Sequence, residues 1–187
     1  MRKFVVSGAA ATALLFIAGC ASQSPPPPAP APVEAPAAPV NNWTARLAAL
    51  KSDLEASTKG TRVVIEQTVD NQLHVVIPNE LSFDSNRANI KRNLAQVLDK
   101  VAEGLKNATA ASVRVVGHTD NTGSEEGNDR LSVNRADSVR NHLVGRGVST
   151  SVITTEGRGA REPLVDNATA AGRAQNRRVE IFVAEKS

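Results

Sequence analysis

Apolar and polar positions change their arrangement several times along the chain. Behind the cationic Met1-Arg2-Lys3, Phe4 to Ala18 is a fifteen-residue run without a charge. That is short of the ~20 residues of a comfortable bilayer span but suits the apolar region of a secretory signal. After it, residues 21–41 show no periodicity. Trp43, Leu47, Leu50 and Leu54 then recur at spacings of four, three and four, which predicts a short amphipathic helix over Asn42–Ser57 with Asn42 as its N-cap. Thr61–Val69 and Gln72–Pro78 read as strands joined by a hairpin turn at Asp70-Asn71.

Beyond residue 80 the period alternates. Ile90, Leu94, Val97, Leu98, Val101 and Leu105 predict an amphipathic helix over Asn89–Lys106, whose Lys91, Arg92, Lys100 and Lys106 are expected on its solvated side. Ser112–Gly117 reads as a strand, Glu125–Gly145 contains a second long helix, and Ser151–Glu156 and Arg177–Ala184 read as two further strands. Strands alternating with helices fit an α/β or α+β sandwich with helices on one face of a mixed sheet. About 125 residues suffice to bury a workable core.

Composition sharpens the outer part of this picture. The 187 residues carry 22 Lys+Arg against 19 Asp+Glu, with four Phe, one Trp and no Tyr. So even a balance, with so few rings to stack on bases, argues against a nucleic-acid binder. Eight of the ten prolines fall in residues 21–41, which should run as an extended polyproline tether reaching roughly 65 Å. The only cysteine, Cys20, excludes an internal disulfide and follows Leu15-Phe16-Ile17-Ala18-Gly19. That stretch resembles a bacterial lipobox, which implies that 1–19 is removed and Cys20 is lipidated. Two or more acyl chains are what stable anchoring takes. By the same resemblance, Ala21 directs sorting to the outer membrane, with the protein facing the periplasm. Arg2 and Lys3 would leave with the signal, taking the charge balance to 20 against 19.

One residue breaks the amphipathic pattern of the second long helix. With Leu131 at 0° and 100° per residue, Val139, Leu143 and Ala136 fall at about 80°, 120° and 140°, and Arg135 falls at about 40°, inside the apolar arc. A guanidinium aimed at the core needs a carboxylate, because an unpaired buried charge costs several kcal/mol. Asp120, just past the strand in Gly117-His118-Thr119-Asp120, is the nearest candidate. Two readings stay open on the residues alone. The pair is a structural salt bridge, or it is a site for a zwitterion, with Asp accepting from an ammonium and the Arg fork gripping a carboxylate.

Three motifs in order then show a family resemblance: Gly117-His-Thr-Asp-Asn-Thr-Gly123, Asn128-Asp-Arg-Leu-Ser-Val-Asn-Arg-Ala136 and Gly172-Arg-Ala-Gln-Asn-Arg-Arg-Val179. The chain from about residue 62 to 184 resembles the OmpA-like peptidoglycan-binding domain, the family of the OmpA C-terminal domain and the peptidoglycan-associated lipoprotein. The resemblance implies an α+β, βαβαββ two-layer sandwich with a mixed sheet over residues 61–187, preceded by the helix in 42–60 and the tether in 20–41. It implies noncovalent binding of peptidoglycan through meso-diaminopimelate, with no cofactor and no catalysis. By motif position, Asp120 would meet the ligand ammonium and Arg135 its carboxylate. Asn86, in Phe83-Asp84-Ser85-Asn86, with Thr119 and Asn128, would line the pocket. Arg177 and Arg178 would supply further positive charge.

Other chemistry finds little support. A hydrolytic set would need His118, Asp120 and Ser132, with His118 and Asp120 facing the same way two residues apart, yet no nucleophile elbow accompanies them. His74, His118 and His142 lack metal-ligand spacing. Gly157-Arg-Gly159 reads as a turn and opens no dinucleotide fingerprint. The alternative to wall tethering is an envelope adaptor whose main partner is a Tol-type or other periplasmic protein, with residues 42–78 as its contact surface.

Overall fold

A computed structural model describes residues 43–84, 86–106 and 111–185. The expected signal 1–19, Cys20, the Pro-rich stretch 21–41 and Asn42 lie outside the described residues. Leu47, Leu50 and Leu54 form the buried stripe of helix α1 (Ala45–Ser57). Its N-cap is Thr44 and not Asn42: the Thr44 hydroxyl accepts from the Leu47 amide at 3.2 Å, the usual way of satisfying an orphan donor of the first turn.

Strands β1 (Val64–Gln67) and β2 (Leu73–Pro78) form the expected antiparallel hairpin. Its connection is longer than a two-residue turn, because pairing stops at Gln67↔Leu73. Thr68 closes the loop, donating from its amide to the Gln72 carbonyl at 2.9 Å and accepting from the Gln72 amide on its hydroxyl at 3.0 Å. Asn71 takes the left-handed conformation (φ 57°) that Asn tolerates better than most residues.

A single turn, α2 (Asn79–Ser82), leads to α3 (Arg92–Leu105), β3 (Ala111–His118), α4 (Glu125–Gly145), a 3₁₀ turn at Thr150–Val152, β4 (Ile153–Gly159), the short α5 (Ala170–Asn176) and β5 (Arg178–Glu185). The strands form one sheet in the order β1-β2-β5-β3-β4, with β3 and β4 parallel and the other neighbours antiparallel. From β2 onward the main elements run βαβαββ, and β1 extends the sheet at one edge. Gly157-Arg158-Gly159 belongs to β4 and is not a turn.

Strand alternation divides the sheet into two unlike faces. Leu73, Val75, Ile77, Val113, Val115, Val179, Ile181 and Val183 join the buried leucines and valines of α1, α3 and α4 in a single core. Their alternates carry charge and rings. His74 stacks on Phe182 with centroids 4.3 Å apart, and the Arg114 guanidinium lies 3.9 Å from the same ring. Glu180 accepts from Arg178 and lies 2.9 Å from His74. Burial alone would raise the Glu180 pKa, but the hydrogen bond from His74 and the Arg178 charge outweigh it and hold the carboxyl down at about 2. His118, 2% exposed on the same face, is pushed down to about 4 by burial and then by Arg178, against an opposing pull from Glu180.

Helix α4 lies unusually close to β3 and β4, and glycine makes that possible. A Cβ on Gly117 would collide with the Ser132 carbonyl, and one on Gly157 would lie 2.5 Å from the Ser132 hydroxyl and the Val133 side chain. The Ser132 hydroxyl accepts from the Gly159 amide at 3.0 Å and donates to the Asp129 carbonyl at 2.8 Å, fixing the first turns of the helix on the strand.

Gly117→Ala should therefore lower stability by about 1–3 kcal/mol or more in urea unfolding. Gly145→Ala, with nothing within 4 Å, should be neutral or stabilising by up to ~1 kcal/mol. Equal stabilities would contradict the close approach. A second expectation concerns acid. Unfolded histidine protonates near pH 6.5 whereas folded His118 stays neutral down to about 4, so its contribution to stability is lost as pH falls between those values. The melting temperature of wild type minus that of His118→Gln should decrease between pH 7.5 and pH 5, and a constant difference would show that the imidazole is not held neutral.

Candidate functional site

The last rung across the three central strands is Pro78–Arg178–His118. Arg178 and His118 point to the polar face, so one residue further out Asn79, Arg177 and Thr119 turn to the helix side. There, with Asp120, they line a cleft of about 590 Å³ at the carboxyl end of β3. Strand ends next to helix starts are where sheets with crossover helices bind ligands. The helix layer supplies the rest of the wall: Phe83, Asp84 and Asn86 ahead of α3, Lys91 at its cap, and Asn128, Leu131 and Arg135 from α4.

Arg135 is as buried as its helical phase predicts, with 2% of its surface exposed. Its Nε donates to the Arg87 carbonyl at 3.1 Å, and its guanidinium carbon lies 5.3 Å from the centre of the Phe83 ring. Among the described residues no carboxylate pairs with it, so of the two readings left open by the sequence the structural Asp120–Arg135 salt bridge is not the state of the site. Burial, and after it the nearby Arg177, push its pKa down to about 10, against the pull of Asp120; the group stays a cation at neutral pH. The loop it braces is itself fixed: Phe83 bridges to Ile90, the Arg87 amide donates to the Asp84 carbonyl at 3.1 Å, and Asn86 adopts the left-handed conformation at φ 56°.

Asp120 is the counterpart. Its Oδ2 accepts from Arg177 Nη1 at 2.6 Å, and its Oδ1 accepts from the Thr122 amide at 2.9 Å and from the Thr122 hydroxyl. Burial works to raise its pKa, but the Thr122 and Arg177 hydrogen bonds outweigh this and keep the carboxyl ionised below the ordinary aspartate value. Asn128 donates to the Thr122 carbonyl at 3.0 Å and so holds the same turn. The cleft lining thus carries three carboxylates, each with a cation of its own: Glu80 pairs with Arg62, Asp84 lies 3.4 Å from Lys91, and Asp120 holds Arg177. It also contains two buried oxygens without a partner among the described residues, Thr119 Oγ1 and Asn79 Oδ1.

Of the residues expected from sequence, Asp120, Arg135, Asn86, Thr119, Asn128 and Arg177 all line this one cleft. Arg178 does not reach it. Strand alternation turns its side chain to the opposite face, where it is 4% exposed and bound to Glu180 at 2.5 Å. Lys91, expected on a solvated helix face, caps α3 at the cleft mouth 3.4 Å from Asp84. Asn79 was not signalled by any motif; its place follows from β2 pairing with β5, and hence from tertiary structure.

The hydrolytic alternative does not assemble. His118 and Asp120 lie on different sides of the sheet layer, with His118 Nε2 3.5 Å from Glu180 and both Asp120 oxygens on Arg177 and Thr122. Ser132, the nucleophile that set would need, is fully buried and spent on the α4–β4 contact. Among the described residues no group of His, Cys, Asp and Glu side chains could hold a metal ion.

The chain is similar to several known proteins. The chain is 43% identical over 131 residues to a probable lipoprotein, YiaD, of Escherichia coli K12, covering 70% of this chain and 59% of that one. It is 42% identical over 111 residues to the peptidoglycan-binding protein ArfA of Mycobacterium tuberculosis H37Rv, covering 59% of this chain and 34% of that one. It thus spans about three fifths and one third of the lengths of these relatives. Among solved structures, the cell wall anchor of the T6SS from Pseudomonas aeruginosa superposes with a TM-score of 0.63 at 33% identity, over 75% of this chain and 97% of that one. The OmpA family profile matches residues 82–177, which takes in the cleft residues from Phe83 to Arg177, and on these grounds the chain belongs to the OmpA family.

Proposed function

We propose that the chain binds peptidoglycan noncovalently through the meso-diaminopimelate of the stem peptide and, through a lipidated Cys20, ties the wall to the outer membrane. The observation that carries this is Arg135, a buried cation that pairs with no carboxylate among the described residues and shares its cleft with the ionised Asp120. Diaminopimelate brings an ammonium and a carboxylate on one carbon. The carboxylate goes to the terminal nitrogens of Arg135 as a bidentate pair, with Arg177 as second cation. The ammonium goes to Asp120, and the unpartnered oxygens of Thr119 and Asn79 are further acceptors for its protons. Asn86 and Asn128 shape the rim, and Arg178 serves the sheet. No bond is made or broken. The peptidoglycan-binding and cell-wall-anchor descriptions of two relatives support the cell wall as the partner. The Pro-rich composition of residues 21–41 and the lipobox-like sequence before Cys20 support the anchoring.

Full-length protein should co-sediment with meso-diaminopimelate-type sacculi and less with Lys-type sacculi. Asp120→Ala and Arg135→Ala should each weaken binding roughly thirtyfold or more, the scale for removing one side of a buried charge pair. Equal pelleting of wild type and both variants would contradict the pocket assignment, and released muropeptides would restore an enzymatic one. For the anchor, Cys20→Ala should lose lipid label and leave the membrane fraction; unchanged labelling and fractionation would refute it.

A further inference from the structure

The carboxylate assigned to the ligand ammonium, Asp120, is already in use. Asp120 is gripped on one oxygen by Arg177 and on the other by Thr122, so an incoming ammonium cannot simply dock beside it. Arg177 is built to let go. Its amide donates to the Arg173 carbonyl at 3.1 Å and its carbonyl accepts from the Asn79 amide at 2.9 Å, so the backbone is pinned on both sides. Its side chain is 32% exposed against 8% for Asp120, so it can swing without the strand moving.

Building on the diaminopimelate assignment, we propose that Arg177 is a specificity latch: it occupies Asp120 as an internal cation and is displaced favourably only by a ligand that brings a carboxylate together with its ammonium. The exchange is decided by charge pairing. Before binding, Asp120 pairs with Arg177 and Arg135 has no anion. After a zwitterion binds, its ammonium replaces the guanidinium on Asp120, and its carboxylate sits between Arg135 and the released Arg177. Both cations are then paired. A plain amine, such as the ε-ammonium of a Lys-type stem peptide, would displace Arg177 and offer it nothing. Glu80 and Asp84, the other carboxylates of the lining, are already paired with Arg62 and Lys91, so the released guanidinium would stand beside Arg135 and the new ammonium, three cations around the Asp120 carboxylate. The two arginines are already close enough for the Arg177 charge to depress Arg135. Rejection of amines lacking the carboxylate thus comes from Arg177, while Arg135 supplies attraction for the carboxylate itself.

The test is calorimetric titration of full-length protein in detergent with the tripeptide L-Ala-γ-D-Glu-meso-diaminopimelate and with its L-Lys counterpart. Wild type should prefer the first. In Arg177→Gln, which keeps a donor for Asp120, the diaminopimelate tripeptide should bind more weakly and the Lys tripeptide more tightly. The preference should fall roughly ten- to hundredfold, the scale of one charge-assisted hydrogen bond. Equal weakening of both ligands, or an unchanged preference, overturns the latch while leaving the diaminopimelate assignment standing. Wild type that binds neither tripeptide, or both alike, refutes that assignment and the latch with it. Should Arg177→Gln fail to fold, nitrogen-15 spectra of wild type decide the question: the Arg177 Nε–Hε signal should shift on saturation with the diaminopimelate tripeptide, and a signal that stays in place overturns the latch.

Discussion

A guanidinium held almost out of water, with no carboxylate partner among the described residues, is the constraint around which this domain is organised. Burying such a charge unpaired costs several kcal/mol. What offsets it here is partial: one carbonyl from Arg87, the face of Phe83, and the negative potential of Asp120 across the cleft. Each of these depends on a different element. Arg87 and Phe83 belong to the loop ahead of α3, and Asp120 to the end of β3. Arg135 itself belongs to a helix that can sit this low only because Gly117 and Gly157 carry no side chain. Loop, strand end and helix must all be in register before the site exists.

The sheet contributes through alternation. The rung Pro78–Arg178–His118 sorts adjacent residues to opposite faces, so that one arginine of Arg177-Arg178 enters the cleft and the other builds a charge network with Glu180 and His74 on the far side. Two cations adjacent in sequence therefore have unrelated roles. Arg178 neutralises a buried carboxylate and helps keep His118 uncharged. Arg177 holds Asp120.

Sequence periodicity was enough to find a long helix within Glu125–Gly145 and to place Arg135 among its apolar residues, because a long helix gives the 3.6-residue period room to declare itself. The βαβαββ order was what the family resemblance implied, and the alternation of strands with long helices was legible too. The single turn α2 and the seven-residue α5 were not, being too short to show a period. Helix starts slipped where two polar residues lie close together: Thr44 caps α1 in place of Asn42, and α3 begins after Lys91 in place of Asn89. The site divided along similar lines. Asp120, Arg135, Asn86, Thr119, Asn128 and Arg177 were named from motif positions and converge on the cleft. Asn79 was missed because only the pairing of β2 with β5 brings it there. Arg178 was misplaced by reading two arginines as one patch, where counting alternation from Val179, a core residue, would have separated them.

If Arg135 is kept for a ligand and not for the fold, replacing it with an apolar side chain of similar length should relieve the domain while disabling the site. Thermal unfolding of wild type and Arg135→Met, each with and without millimolar meso-diaminopimelate, tests this most directly. The expected result is an Arg135→Met protein at least as stable as wild type when free, with ligand raising the melting temperature of wild type alone. An Arg135→Met protein that melts well below wild type, or that gains as much from the ligand, would contradict the account.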